Sequence, residues 1–123
     1  MPPPGEPTKR PEIAVVVPVY NEADNIEALL ARLTPVIERA ASSHVVVFVN
    51  DGSRDGTLEA LRRANAADER VKAVSFSRNF GKEIAIAAGL DHAEADAVVI
   101  MDADLQHPPE VIETFVAKWR EGY

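Results

Sequence analysis

The feature that most constrains the fold of this chain is a fourfold alternation of short apolar runs with amphipathic stretches. The four runs cover residues 13–17, 45–49, 71–76 and 97–101. The first two are rich in Val and Ile without polar alternation, which is typical of strands buried on both faces of a sheet. Strands that alternate with helices imply βαβ units. We therefore predict an α/β fold, in which a parallel sheet carries helices on both of its faces.

The helices are predicted from apolar spacing and from start signals. Ile26 and Leu29 belong to a series at helical intervals in the first amphipathic stretch. Ser53 or Asp55 is the predicted cap of the second helix. The last helix is predicted to start at the prolines 108–109, since a first turn tolerates proline. Its predicted apolar side comprises Val111, Ile112, Phe115, Val116 and Trp119.

The first twelve residues differ from the rest in composition. They contain five prolines and one glycine, which opposes both a helix and a central strand. We therefore predict a flexible tail over residues 1–12 and a single domain, or part of one, over residues 13–123.

Charge and cysteine content exclude several classes of function. The net charge is −7, whereas a nucleic-acid-binding protein normally presents a basic surface. The sequence has no cysteine, which excludes disulfides, zinc-thiolate sites and thiol nucleophiles. It also lacks a signal-peptide core and any run near the about 18–20 apolar residues that cross a bilayer. We therefore expect the chain as given to be cytoplasmic.

Candidate functional residues follow each apolar run, because ligands of open parallel sheets bind beyond the carboxyl ends of the strands. All four of these segments are polar: residues 18–22, 50–53, 77–82 and 102–107. Four carboxylates, on Glu22, Asp51, Asp102 and Asp104, are predicted to converge on one rim. Clustered carboxylates repel one another, and a bound cation would offset that repulsion.

Asp102 and Asp104 are the most informative pair. Carboxylates two residues apart at a strand end can both reach a hard divalent cation. Mg²⁺ and Mn²⁺ prefer such oxygen ligands and keep positions for water and substrate phosphates. A turn that caps the last helix explains the same two residues. The converging Glu22 and Asp51 favour a metal–diphosphate site.

The other polar residues leave two interpretations open. Asp51 suits either a helix-capping turn or a contact to a nucleobase or ribose. Tyr20 could stack on a base or be a partly buried loop aromatic. Arg78 and Lys82 could neutralise phosphates or be solvated charges. His107 precedes two prolines and is interpreted as a surface residue rather than a base.

These segments, taken together and in this order, resemble the family 2 glycosyltransferases of the GT-A fold. The resemblance rests on residues 17–22 (VPVYNE), 49–57 (VNDGSRDGT) and 102–104 (DAD). Residues 77–83 (SRNFGKE) and 104–108 (DLQHP) narrow it to polyprenyl-phosphate sugar transferases, such as bactoprenol glucosyl transferases and dolichol-phosphate mannose synthases. The resemblance implies a Rossmann-like nucleotide-diphospho-sugar transferase sheet, of which this chain would supply the N-terminal half.

The resemblance also implies roles for individual residues. The nucleotide-binding set would be Pro18, Tyr20, Glu22, Asp51, Arg78, Lys82 and Asp102. The metal-binding set, for Mg²⁺ or Mn²⁺, would be Asp102, Asp104 and Gln106. Within these sets Asp51 would contact the base, and Arg78 and Lys82 would lie near the phosphates. No catalytic base is assigned.

The implied reaction moves a hexose from a nucleotide-diphosphate sugar to a polyprenyl phosphate with inversion at the anomeric carbon. The likeness to the bactoprenol group favours a UDP-hexose, although GDP-mannose uses the same pocket residues. A phosphate monoester, with a second pKa of about 6, is largely anionic at neutral pH and needs little help from a base. Full-length members of the family act at the cytoplasmic face of a membrane.

This chain is shorter than the family's catalytic domain. We therefore expect an unpaired sheet edge, which favours association with a second copy, and nucleotide binding without sugar transfer by the chain alone. The alternative is a non-catalytic module that binds nucleotide or dimerises. A phosphorelay receiver is disfavoured, because its acidic pair follows the first strand, whereas here the acidic pair follows the last.

Overall fold

Four strands alternate with four helices in the part of the chain that the computed structural model describes, residues 10–104 and 108–122. The elements are β1 (Ile13–Val19), α1 (Ala23–Ala40), β2 (His44–Asn50), α2 (Thr57–Ala67), β3 (Val71–Ser75), α3 (Lys82–His92), β4 (Ala97–Ile100) and α4 (Val111–Arg120). Each predicted apolar run forms a strand, and the predicted α/β class is confirmed. The predicted tail falls largely on residues 1–9, which lie outside the described part.

The sheet is parallel throughout, in the order β3-β2-β1-β4. β1 lies in the middle, with Ile13 opposite His44 of β2 on one side and opposite Ala97 of β4 on the other. The chain builds outward from β1 to β3 and then returns through α3 to add β4 beside β1. This reversal creates a crevice between the carboxyl ends of β1 and β4, where such sheets bind ligands.

Two layers of helices cover the sheet, as predicted. One face of β1, which includes Val15 and Val17, belongs to a buried core shared with α1, α2 and α4. The opposite face packs against α3, where Gly89 lies against Val16 and Val49. The largest fully buried side chains include Phe48, Ile13, Ile26, Leu29, Leu33, Ile37, Leu61 and Ile112.

The last helix differs in part from the prediction. α4 begins at Val111, after a turn built on the two prolines, rather than at the prolines themselves. Ile112 and Val116 are buried and Trp119 packs against the core, whereas Val111 and Phe115 are exposed. The reason is that α4 packs against α1, and only Ile112, Val116 and Trp119 lie on the side that joins the core.

The described sheet ends at β3 on one side and β4 on the other. β4 pairs only with β1 among the described strands, and Ile100 on it is exposed. The expected unpaired edge is therefore present in this part of the chain. No helix among the described residues is both long and apolar enough to cross a membrane.

Glu12 ties three elements together just before β1. Its carboxylate accepts hydrogen bonds from the Arg120 guanidinium at the end of α4 and from the Ser42 backbone N–H at 2.9 Å. The Arg120 side chain lowers the pKa of Glu12 below its ordinary value, with a further contribution from Ser42. The start of β1 is thereby attached to the α1–β2 loop and to α4.

We predict that Gly89→Ala destabilises the fold by about 2 kcal/mol, the range for overpacking a core. A methyl group there would overlap Cγ1 of Val16 and lie 3.0 Å from Cγ2 of Val49. In an uncrowded helix the same change would stabilise the fold, because Ala is the better helix former. The sign of the change in unfolding free energy therefore shows whether the position is crowded. Urea unfolding measures the effect. In a Val16→Ala background the cost of Gly89→Ala should shrink, and an unchanged cost would contradict the steric explanation.

We predict that Glu12→Gln lowers the free energy of unfolding at pH 7 and flattens its dependence on acid pH. Because the folded-state pKa is lowered, the carboxylate stabilises the fold above its unfolded pKa and loses that effect as the pH falls through the folded pKa. Urea unfolding at a series of pH values measures both effects. Glu94→Gln removes the same charge from an exposed side chain and should leave the profile unchanged.

Candidate functional site

A pocket of about 280 Å³ opens at the carboxyl ends of the strands, in the crevice between β1 and β4. It is lined by Pro18, Val19, Tyr20, Glu22, Asp51, Lys82, Asp102, Ala103 and Asp104. Three segments far apart in the sequence therefore meet there, together with the first residue of α3. Of the predicted site residues, Arg78 does not line the pocket, and Gln106 lies outside the described residues.

The segment after β1 is held in place by the segment after β2. Asn21 has a φ of 54°, a left-handed conformation that asparagine tolerates better than most residues. Its backbone N–H donates to Ser53 Oγ at 2.9 Å, and its side-chain oxygen accepts from the Arg54 N–H at 2.9 Å. The Glu22 N–H donates to Thr57 Oγ1 at 2.9 Å. These bonds fix the two loops that carry Tyr20, Glu22 and Asp51 relative to each other.

Asp55 supports the start of α2, but the predicted cap, Asp55 or Ser53, is wrong, because α2 begins one residue later than that prediction requires. Its Oδ1 accepts from the Thr57 N–H at 3.0 Å and from the Thr57 hydroxyl, while Oδ2 accepts from the Ala23 N–H at 3.3 Å. The Thr57 hydroxyl is the main cause of a lowered pKa at Asp55. Gly56 occupies the cap position itself and has no side chain to donate or accept. Asp55 therefore joins the starts of α1 and α2.

Asp51 is buried, with 4% of its surface exposed, and its carboxylate holds the β3–α3 loop. Oδ1 accepts from the Phe80 N–H at 2.8 Å, and Oδ2 accepts from the Gly81 N–H at 3.0 Å and from Asn79 Nδ2 at 3.1 Å. A carboxylate can accept about four hydrogen bonds, so Oδ1 retains capacity for one more donor. Asp51 thus has a structural role and can still accept from a ligand.

Gly52 allows this loop to cross directly over the segment after β2. Its φ of 72° lies in the left-handed region, and a Cβ there would overlap the backbone of Arg78 and Asn79. Both the conformation and the close approach require glycine. The Asp51–Gly52 pair therefore sets the height of the β3–α3 loop above the sheet.

Tyr20 and Arg78, two of the predicted nucleotide-binding residues, lie in different surroundings. Tyr20 lines the pocket with 45% of its surface exposed, so its ring is available to a ligand. The Arg78 guanidinium lies over the Phe80 ring, 4.6 Å from its centroid, and Phe80 in turn meets Phe76 edge-on. Arg78 is therefore engaged with its own loop rather than with the pocket.

Lys82 and Asp102 form an ion pair across the pocket, with Nζ 2.7 Å from Oδ1. No group of three or more His, Cys, Asp or Glu side chains close enough to hold a metal ion occurs within residues 10–104 and 108–122. Asp102 and Asp104 nevertheless supply two hard oxygen donors to one pocket. Mg²⁺ and related ions are commonly held by one or two carboxylates plus substrate phosphates. The donor set therefore fits a divalent cation whose remaining ligands come from outside the chain.

Sequence reasoning missed the residues that position the predicted ones. The donors to Asp51 are the backbone of Phe80 and Gly81 and the side chain of Asn79. All three residues belong to the SRNFGKE segment that carries the resemblance. That motif is the sequence signal by which they could have been found. Val19 and Ala103 also line the pocket, each between two residues that were predicted.

Comparison with known proteins gives a consistent result. The family model described as glycosyl transferase family 2 matches residues 14–123. An uncharacterized glycosyltransferase of Synechocystis is 50% identical over 91% of this chain, which covers 35% of that protein. The bactoprenol glucosyl transferase of Shigella phage SfV is 43% identical over 90% of this chain, which covers 36% of that protein. The chain thus spans about a third of the length of the curated relatives it matches.

A solved structure supports the fold. A mannosyltransferase from Pyrobaculum calidifontis, in complex with GDP-mannose and Mn²⁺, superposes with a TM-score of 0.68 at 36% identity. The match covers 79% of this chain and 28% of that protein.

We predict that Asp51→Asn loosens the β3–α3 loop and lowers the free energy of unfolding by about 1–3 kcal/mol, the cost of an unsatisfied buried hydrogen-bonding group. An amide has one accepting oxygen, so either the Phe80 or the Gly81 N–H loses its acceptor. Amide hydrogen exchange at these two positions should accelerate. Asn79→Ala removes a donor but leaves both backbone bonds, so its effect should be smaller. Equal exchange rates in the wild-type chain and Asp51→Asn would contradict the assigned role.

Proposed function

Because this chain belongs to glycosyl transferase family 2, we propose that residues 13–123 form the nucleotide-binding part of an inverting hexosyltransferase. The donor is a nucleotide-diphosphate sugar and the acceptor is a polyprenyl phosphate. The single observation that carries the proposal is the pocket, in which an aromatic ring, four carboxylates and one ammonium group meet at the crevice between β1 and β4.

The nucleoside occupies the side of the pocket formed by the segments after β1 and β2. Tyr20 presents an exposed ring for stacking on the base. Asp51 Oδ1, which accepts one hydrogen bond from Phe80, has capacity to accept a base N–H. Pro18 and Glu22 complete this side. UDP is favoured as the nucleotide by the resemblance to the bactoprenol group.

The diphosphate occupies the side formed by Lys82 and the segment after β4. Asp102 and Asp104 would hold a divalent cation, together with Gln106. Bound there, Mg²⁺ or Mn²⁺ supplies Lewis-acid neutralisation of the leaving diphosphate. The Lys82 ammonium adds a point charge for the phosphate oxygens. Arg78 can contact the phosphates only if its guanidinium leaves the Phe80 ring.

The acceptor needs no strong general base, and none is assigned. A polyprenyl phosphate is a monoester with a second pKa of about 6, so its oxygen is already a charged nucleophile at neutral pH. The residues of this chain orient the donor, and attack from the side opposite the nucleotide inverts the anomeric carbon. In the whole protein we place this reaction at the cytoplasmic face of a membrane.

A second candidate function is nucleotide binding or self-association without turnover. The one-sided pairing of β4 and the exposed Ile100 favour it. Release of UDP or GDP from a nucleotide sugar, dependent on polyprenyl phosphate, separates the two candidates. We expect this chain alone to bind the nucleotide without such release.

We predict that UDP binds the chain in a Mn²⁺-dependent manner and that Asp104→Asn weakens the metal-dependent binding by at least about tenfold. Even changes outside the ligand shell cost that much at metal sites. Calorimetric titration of UDP and GDP, with and without Mn²⁺, measures the effect and identifies the preferred nucleotide. Asp91→Asn removes the same charge from an exposed side chain of α3 and is the matched control. A folded chain that binds neither nucleotide would refute the proposed function.

A further inference from the structure

The ion pair between Lys82 and Asp102 engages a carboxylate that the proposed cation also needs. Lys82 Nζ lies 2.7 Å from Asp102 Oδ1, and the two side chains are 59% and 32% exposed. An ion pair this accessible is weak and readily exchanged. A carboxylate has lone pairs for more than one partner, but an ammonium group in contact with Asp102 repels a divalent cation bound at the same carboxylate. The ion pair and the proposed metal site therefore compete for Asp102.

The backbone at Lys82 is held by its neighbours, whereas its side chain is largely exposed. The preceding residue, Gly81, donates its N–H to Asp51 Oδ2 at 3.0 Å, and Asp51 is buried. Lys82 itself is the first residue of α3. Its charge lies at the end of a flexible four-carbon stem. The ammonium group can therefore change partners inside the pocket without any movement of the loop or of α3.

The charges of the pocket determine which partner the ammonium group has. Lys82 is the one cationic side chain among the described residues that line it, beside Glu22, Asp51, Asp102 and Asp104. In the absence of ligand, Lys82 neutralises part of this negative charge. A divalent cation at Asp102 repels the ammonium group, and a diphosphate offers it a new anionic partner. When metal and diphosphate are both bound, the ammonium group of Lys82 therefore favours the diphosphate. When neither is bound, it favours Asp102.

We infer that Lys82 is a positioning residue that takes the place of the cation at Asp102 before ligands bind and moves onto the diphosphate when nucleotide and metal bind. The inference rests on the proposed function. Metal alone must displace Lys82 without offering it a partner, so it binds weakly. Each ligand therefore strengthens the binding of the other, and this coupling is reciprocal.

The test compares Lys82→Met with Lys72→Met in the 123-residue chain. Both changes replace one lysine by methionine, but Lys72 is an exposed residue of β3 that does not line the pocket. Binding of Mn²⁺ alone is followed by the loss of the free-ion signal in electron paramagnetic resonance. Binding of UDP in the presence of Mn²⁺ is followed by calorimetry.

We expect Lys82→Met to bind Mn²⁺ alone about fivefold more tightly than the wild-type chain, since a competing ion pair of modest strength is removed. It should bind UDP with Mn²⁺ more weakly than the wild-type chain. Lys72→Met should bind Mn²⁺ alone as the wild-type chain does. In an Asp102→Asn background the gain from Lys82→Met should disappear, because the exchanged carboxylate is gone.

Two results would overturn the inference and leave the proposed function intact. One is an unchanged Mn²⁺ affinity in Lys82→Met while UDP still binds. The other is an equal gain in Lys72→Met, which would mean that the lower net charge alone raises the affinity for Mn²⁺. Failure of the folded wild-type chain to bind UDP or GDP with Mn²⁺ would instead overturn the proposed function. The proposed movement of Lys82 onto a diphosphate would then be overturned as well.

Discussion

The parallel pairing of β1 between β2 and β4 is the constraint on which the rest of the structure depends. Parallel strands bring their carboxyl ends to one edge of the sheet. The polar segments that follow the strands therefore lie close together. The reversal of strand order at β1 opens the crevice between β1 and β4. The pocket lies there because the return through α3 places β4 on the opposite side of β1 from β2.

Once the strands bring the polar segments together, hydrogen bonds between those segments set their shape. Asp51 holds the β3–α3 loop through Phe80 and Gly81, and Asn21 and Ser53 join the loops after β1 and β2. The residues that resemble family 2 glycosyltransferases are therefore partly structural. A buried carboxylate that orders a loop can also present its remaining lone pair to a ligand, so the two roles that Asp51 suits are compatible.

Much of the fold and part of the site could be predicted from the sequence. The strands follow from Val- and Ile-rich runs, and the pocket brings together seven of the predicted site residues. The exposed positions of Val111 and Phe115 could not be predicted, because they depend on which side of α4 meets α1. The position of Arg78 on Phe80 depends in the same way on side-chain packing within a loop. Gln106 lies outside the described residues, and its role stays a prediction.

The sequence by itself determined the strands, the parallel sheet, the family and the chemical character of the strand ends. These properties are local, because the apolar runs and the polar motifs each consist of consecutive residues. Only the tertiary structure decided which side-chain atoms form hydrogen bonds and ion pairs with one another. Asp51 meets the N–H of a residue thirty positions away, and Lys82 pairs with Asp102. Such contacts depend on how far each loop extends above the sheet, a distance set by packing between elements rather than by any one segment.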